Sequence, residues 1–118
     1  MDSESNPISL SFDQMMAAVQ AFHDKHDFRD KGGENMVYRL ALMTEELGEI
    51  AECVTKGKGR TALSEECADL LILLMGNAIS ENFDLGEAFW RKMKVINSRD
   101  AQIVDGRVRV TAYRGADD

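Results

Sequence analysis

Five acidic residues have types and spacing that suit joint chemistry: Glu45, Glu46 and Glu49 in one stretch, Glu66 and Asp69 in another. Glu46 and Glu49 are three apart, as are Glu66 and Asp69, so on helices each pair shares a face. On a helical wheel Glu46 and Glu49 lie beside an apolar stripe, at the edge of a core, and Glu45 turns further toward solvent. Asp69 adjoins an apolar run and is flanked by Cys67, Ala68, Leu70 and Leu71. Aspartate is a weak helix former inside a helix, and an unpaired buried carboxylate is costly or becomes neutral. Acids in the first turn of a helix favour its dipole, which accounts for Glu65 and in part for Glu66 as plain capping charges. Asp69, about two turns in, lies beyond that effect. No Arg or Lys stands at the same level in either stretch; the nearest bases are Arg39 and Lys56 at the ends. A divalent cation would neutralise four converging carboxylates. An all-oxygen donor set suits a hard ion, Mg2+ or else Mn2+. Zinc fits poorly, because His23 and His26 fall on another helix and no cysteine ligand set exists. A di-iron bundle pairs Glu with His three residues on, where Asp69 stands here.

The elements that must position these acids follow from apolar periodicity. The spacing predicts a helix over about 11–26, opened by a Ser11/Gln14 capping box, with Phe12, Met15, Val19 and Phe22 as its apolar face. A second helix starts at the N-cap Asn35 and runs to about Thr55, with Leu40, Met43, Leu47, Ile50 and Val54 as a core-facing stripe. Lys56–Arg60 is a short basic loop, read as a plain turn or as a phosphate-approaching loop. A third helix covers about 62–81. Its middle, Leu70 to Met75, is apolar on all sides, so it must be surrounded, and a chain of 118 residues can hardly wrap it alone. An oligomer is therefore expected. A fourth helix starts at Asp84, with Glu87 completing a capping box, carries Leu85, Phe89, Met93 and Ile96 inward and ends near Asp100. Alternation from Ile103 to Val110 around Asp105-Gly106 predicts a hairpin that must pack on something. The expected organisation is all-α: a mobile segment 1–10, a helical domain 11–100, and a hairpin and tail 101–118, with Gly115–Asp118 mobile.

Composition narrows the function classes. A net charge of -7 argues against a broad phosphate-binding surface for a nucleic-acid polymer. Met1–Leu10 does not read as a targeting segment, and Leu70 to Met75 is far too short to cross a membrane. Cys53 and Cys67 form no CxxC pair and read as reduced thiols of a cytoplasmic protein.

The order Glu45-Glu46-Leu47-Gly48-Glu49, then sixteen residues, then Glu66-Cys67-Ala68-Asp69, matches the pattern EExxE…ExxD. With Asn97 and Arg99 closing the stretch, the chain resembles the MazG-like nucleotide pyrophosphohydrolases of the all-α NTP pyrophosphatase superfamily, which also holds dimeric dUTPases and dCTP pyrophosphatases. The resemblance spans Phe12 to Arg99. It implies a four-helix MazG-like bundle, assembled as a homodimer or homotetramer, that hydrolyses a nucleoside triphosphate to the monophosphate and pyrophosphate. A deoxynucleotide, of pyrimidine type, is the expected substrate on that ground alone. Carried over by position, Glu46, Glu49, Glu66 and Asp69 would ligate magnesium. Glu45 would be an outer-sphere ligand or would orient the attacking water. Lys94 would meet phosphate and Asn97 sugar, base or phosphate. The family's lysine usually stands four before this asparagine, which here is Met93, so Lys92 and Lys94 both remain open. Lys92, Lys94 and Arg99 equally suit a solvated cationic helix end. Phe28 stands where some relatives carry a base-contacting aromatic, and it also suits a core role. His23 and His26 read as surface or supporting groups. Two other readings stay open: a magnesium-dependent hydrolase of another phosphorylated metabolite, and a non-catalytic helical module whose acids bind a basic partner.

Overall fold

In the computed structural model residues 10–110 are described. The expected mobile tail, and all but Leu10 of the expected mobile N-terminal segment, lie outside the described residues. Four helices are followed by a hairpin: α1 (Phe12–Lys25), α2 (Met36–Thr55), α3 (Arg60–Glu81), α4 (Leu85–Asn97), β1 (Ala101–Val104) and β2 (Arg107–Val110). The chain is thus all-α with a short C-terminal antiparallel pair. It divides between Phe83 and Asp84 into two units, the first holding α1–α3 and the second α4 with the hairpin.

Local chemistry explains the helix boundaries. The Ser11 hydroxyl accepts the Gln14 N–H at 3.2 Å, and the Gln14 side chain accepts the Ser11 N–H at 2.9 Å, so the box at the start of α1 is complete. Asn35 Oδ1 accepts the Tyr38 N–H at 2.9 Å and opens α2. Asp84 Oδ1 accepts the Glu87 N–H at 2.9 Å and opens α4, which ends at Asn97 rather than near Asp100. α3 begins at Arg60, two residues before the apolar pattern does, with Gly59 as a cap that has no side chain to offer. Its first turn therefore contains no acid, and Glu65 and Glu66 are not the dipole-pairing residues the sequence reading made them. The hairpin turns through Asp105 and Gly106, both at positive φ (52° and 77°), the conformation a two-residue turn requires. Val104 pairs with Arg107 and Ala101 with Val110, and all eight strand residues are exposed.

Within the first unit α3 packs against both α1 and α2. The buried residues are Val19 and His23 of α1, Arg39 and Cys53 of α2, and Met75, Gly76 and Ala78 of α3. This corrects the expected core stripe of α2. Leu40, Leu47 and Val54 are 58–66% exposed, and the buried side carries Arg39, Glu46 and Cys53 at heptad steps, with Met43 and Ile50 half-buried. The helix is rotated by about one residue, and on that side Arg39 finds hydrogen-bond acceptors on α3, Asn77 Oδ1 and Leu73 O, that a leucine could not use. Likewise Phe12, Met15 and Phe22 of α1 are exposed, and only Val19 of that face is buried. Leu71, Ile72 and Leu74 of α3 are 40–43% exposed, so the packing of α1 and α2 leaves part of this most apolar helix uncovered. In α4, Leu85, Met93 and Ile96 are half-buried, while Phe89 is exposed and sits edge-on to Trp90 at 5.1 Å.

His23 is buried rather than superficial. Its Nδ1 lies 3.5 Å from Glu34 Oε2, and Arg29 Nε lies 3.5 Å from the other oxygen of Glu34. Burial pushes the His23 imidazole below its ordinary value of 6.5, against the pull of Glu34. The unfolded chain then binds the proton more readily than the native one, so stability is lost as pH falls through and below 6.5. A His23→Gln variant should lose less stability than the parent on going from pH 7.5 to pH 5.5. Thermal denaturation of both proteins across that range reads the difference; parallel curves would contradict it.

Candidate active site

α2 contributes Glu46 and α3 contributes Glu66 and Asp69, one turn apart. One carboxylate oxygen from each of the three lies within 4.8 Å of the others. Glu46 and Glu66 are half-buried and Asp69 is exposed. The burial argument therefore attaches to Glu46, not to Asp69 as the sequence reading had it. Glu46 Oε1 is fully buried and has no hydrogen-bond partner among the described residues. Burial pushes the Glu46 carboxyl above its ordinary value, and the charge of Asp69, the hydrogen-bonding contact with Glu66, and the charges of Glu66 and Glu49 push the same way.

Among the described residues, no basic side chain is paired with Glu46, Glu66 or Asp69. Arg39 is committed to Asn77, to Gly33 O and to Leu73 O. Lys56 and Lys58 hold Glu52 at 2.8 and 3.0 Å, and together they keep its carboxyl down at about 2. The basic loop is thus engaged with its own helix. Cys53 is buried, and burial pushes its thiol up, followed by the charge of Glu66, so it stays protonated and is a poor metal ligand. Three carboxylates grouped within 4.8 Å, one of them with a buried unpartnered oxygen, form a donor set that fits a hard divalent cation.

The remaining acids of the pattern lie around this cluster. Glu49 is exposed and outside the three-carboxylate group, yet near enough for its charge to act on Glu46. Glu45 is exposed. Phe28 is half-buried, edge-on to Phe22 at 5.3 Å and tilted over His23 at 4.4 Å. Gly33 makes room for it: a Cβ there would lie 2.6 Å from Phe28 Cγ. Phe28 lines a cavity of about 520 Å³ with Phe22, His26, Tyr38, Arg39, Leu42, Ile72 and Leu73 among its other walls. Leu42 stands four residues before Glu46, and Ile72 and Leu73 stand three and four after Asp69. The cavity thus continues the carboxylate face of α2 and α3, roughly one to two turns along, or about 5–10 Å.

The second unit holds the other candidates. Trp90, Lys94 and Asn97 line one groove on α4 with Glu87, Arg91 and Met93. Lys92 is exposed outside that groove, and Arg99 lies beyond the helix, its N–H bonded to Ile96 O. The sequence places Arg39 only as a base at a helix end and gives no packing role to Tyr38, Gly33 or Gly76. The available signal was Arg39, a charge seven residues before Glu46 and fourteen before Cys53, on the heptad of the buried side.

A model of the MazG nucleotide pyrophosphohydrolase domain matches residues 36–104, which holds α2, α3, α4 and β1. No curated protein matches the chain, and no solved structure does. None of the helices among the described residues is long and apolar enough to cross a membrane.

If like charge destabilises the empty cluster, Glu46→Gln should raise the melting temperature of the metal-free protein, by about 4–8 °C for each kcal/mol relieved. The same variant should lose most of the stabilisation that added Mg2+ confers on the parent. Melting curves in EDTA and in millimolar Mg2+ test both halves; an unchanged Mg2+ response would remove Glu46 from the site.

Proposed function

This chain belongs to the MazG nucleotide pyrophosphohydrolase family, and on that premise we propose that it hydrolyses a (deoxy)nucleoside triphosphate to the monophosphate and pyrophosphate, with Mg2+ or Mn2+ held by Glu46, Glu66 and Asp69. Nucleotide pyrophosphohydrolysis in general is the family's activity; the triphosphate, the metal and the residue roles are our reading. The observation that carries it is Glu46, with one buried, unpartnered oxygen, grouped with two further carboxylates and, among the described residues, no paired cation. A triphosphate is itself polyanionic and would be repelled by this cluster alone. Glu46, Glu66 and Asp69 would hold a divalent ion, which would supply positive charge for the triphosphate and Lewis-acid chemistry at phosphorus.

The chain's own side chains divide the remaining work. Glu49, one turn after Glu46, joins the ligand set when the site is loaded. Glu45, on the exposed side, orients the attacking water or serves as an outer-sphere ligand. The cavity beyond the carboxylates takes the base, with the Phe28 ring as a stacking wall. On the family resemblance alone, Lys94 or Lys92 would meet phosphate, Asn97 sugar, base or phosphate, and Arg99 the substrate. The exposed leucines and valines of α2 and the exposed apolar residues of α3 support assembly as a homodimer or homotetramer. The unpaired Cys53 and Cys67 accord with a cytoplasmic setting. A pyrimidine deoxynucleotide is the substrate we favour, and clearing or trimming a nucleotide pool is the task.

A nucleotide panel with Mg2+ should give monophosphate and pyrophosphate in equal amounts, and EDTA should abolish the reaction. Asp69→Asn should lower activity by about 100-fold or more with the helical signal retained, because it removes ligand charge but little volume. Orthophosphate as product would favour a different phosphohydrolase. No cleavage, together with no thermal stabilisation by Mg2+, would favour a non-catalytic module.

A further inference from the structure

Leu70 to Met75 presents apolar side chains around the whole of α3. Burial of apolar surface is non-directional, so it stabilises several rotations and axial offsets of α3 against α2 almost equally. A metal site does not share that tolerance. Turning α3 by one residue, about 100°, or sliding it by one turn, about 5.4 Å, would carry Glu66 and Asp69 away from Glu46.

One polar group bridges the two helices on the same face. Arg39 of α2 is 1% exposed. Its Nε donates to Asn77 Oδ1 at 2.9 Å, its Nη2 to Leu73 O at 2.7 Å and its Nη1 to Gly33 O at 3.1 Å. Asn77 in turn donates to Met43 Sδ of α2 at 3.3 Å. Arg39 stands seven residues before Glu46, and Leu73 stands seven after Glu66, so the bridge lies about two turns below the carboxylates on both helices. α3 is shaped to receive it. A Cβ on Gly76 would overlap Arg39 Nη2 and would lie 2.9 Å from both Arg39 Cζ and His23 Nε2. Glycine within a helix is unfavourable for the helix itself. A buried guanidinium is likewise a weak source of stability, since an apolar side chain of similar volume often does as well. Both features are explained by directionality: two hydrogen bonds to α3 from a fixed fork, with a third to Gly33 O, accept one rotation and one offset.

We propose that Arg39, seated against Gly76, is a positioning residue that sets the register of α2 against α3 and so brings Glu46 to Glu66 and Asp69. This rests on reading those three as metal ligands.

Mn2+ binding to the metal-free protein, followed by electron paramagnetic resonance at 10 °C, separates register from stability. Arg39→Met should keep the helical signal and weaken Mn2+ binding by about 10-fold or more. Gly76→Ala should do the same although alanine is the better helix former. Val19→Ala, which opens a void beside α1, should lower the melting temperature yet leave Mn2+ affinity within about twofold, as packing alone predicts. Folded Arg39→Met or Gly76→Ala that binds Mn2+ like the parent would overturn the proposal. So would Val19→Ala losing as much affinity as Arg39→Met, because the loss would then follow stability alone. If Arg39→Met does not fold, Gly76→Ala decides. Failure of the ligand reading has its own signature: the parent and Glu46→Gln would bind Mn2+ equally poorly.

Discussion

The first unit is organised around a repulsion. Glu46, Glu66 and Asp69 come from two helices to within 4.8 Å of one another, and one oxygen of Glu46 is buried without a partner. Charges of one sign do not gather in this way for stability. Burial and three neighbouring acids hold the Glu46 carboxyl above its ordinary value. A cation removes both penalties together, which is why carboxylates in this arrangement are more intelligible as ligands than as surface charge.

The rest of the first unit meets that demand. The two helices must be held at one rotation, and apolar packing cannot do this where α3 is apolar all round. The polar bridge from Arg39 to Leu73 O and Asn77 supplies direction where apolar contact supplies only adhesion. Basic side chains that could have neutralised the acids are occupied elsewhere: Arg39 in the bridge, Lys56 and Lys58 on Glu52. Phe28, seated in the space Gly33 leaves open, walls a cavity that extends the carboxylate face. The carboxylate cluster and a cavity of about 520 Å³ thus share one helix pair.

Much of this was legible in the order of residues. Ser11, Asn35 and Asp84 announce helix starts because their short polar side chains can reach N–H groups two or three residues ahead. Asp105-Gly106 announces the turn because both positions need positive φ. The two acidic pairs on consecutive helices announce a shared site, because a three-residue step puts each pair on one face. The start of α3 was misread, since Gly59 caps without a side chain and leaves no polar signal. The core side of α2 was misread too. Leu40, Leu47 and Val54 form a more hydrophobic stripe than Arg39, Glu46 and Cys53, yet the latter faces inward.

The sequence by itself determined helix content, the starts of α1, α2 and α4, the hairpin turn and the spacing of the acids, because each depends on interactions within a few residues of chain. Only the tertiary structure decided which acids meet, that Glu46 rather than Asp69 is the buried one, that Arg39 and His23 lie inside, and that Phe28 borders a cavity. Those outcomes depend on how one helix is rotated against another. Two helices with apolar residues on several sides can satisfy burial in more than one way, and the choice is made by a few directional polar contacts between residues some 35 positions apart, as Arg39 with Leu73 and Asn77 shows.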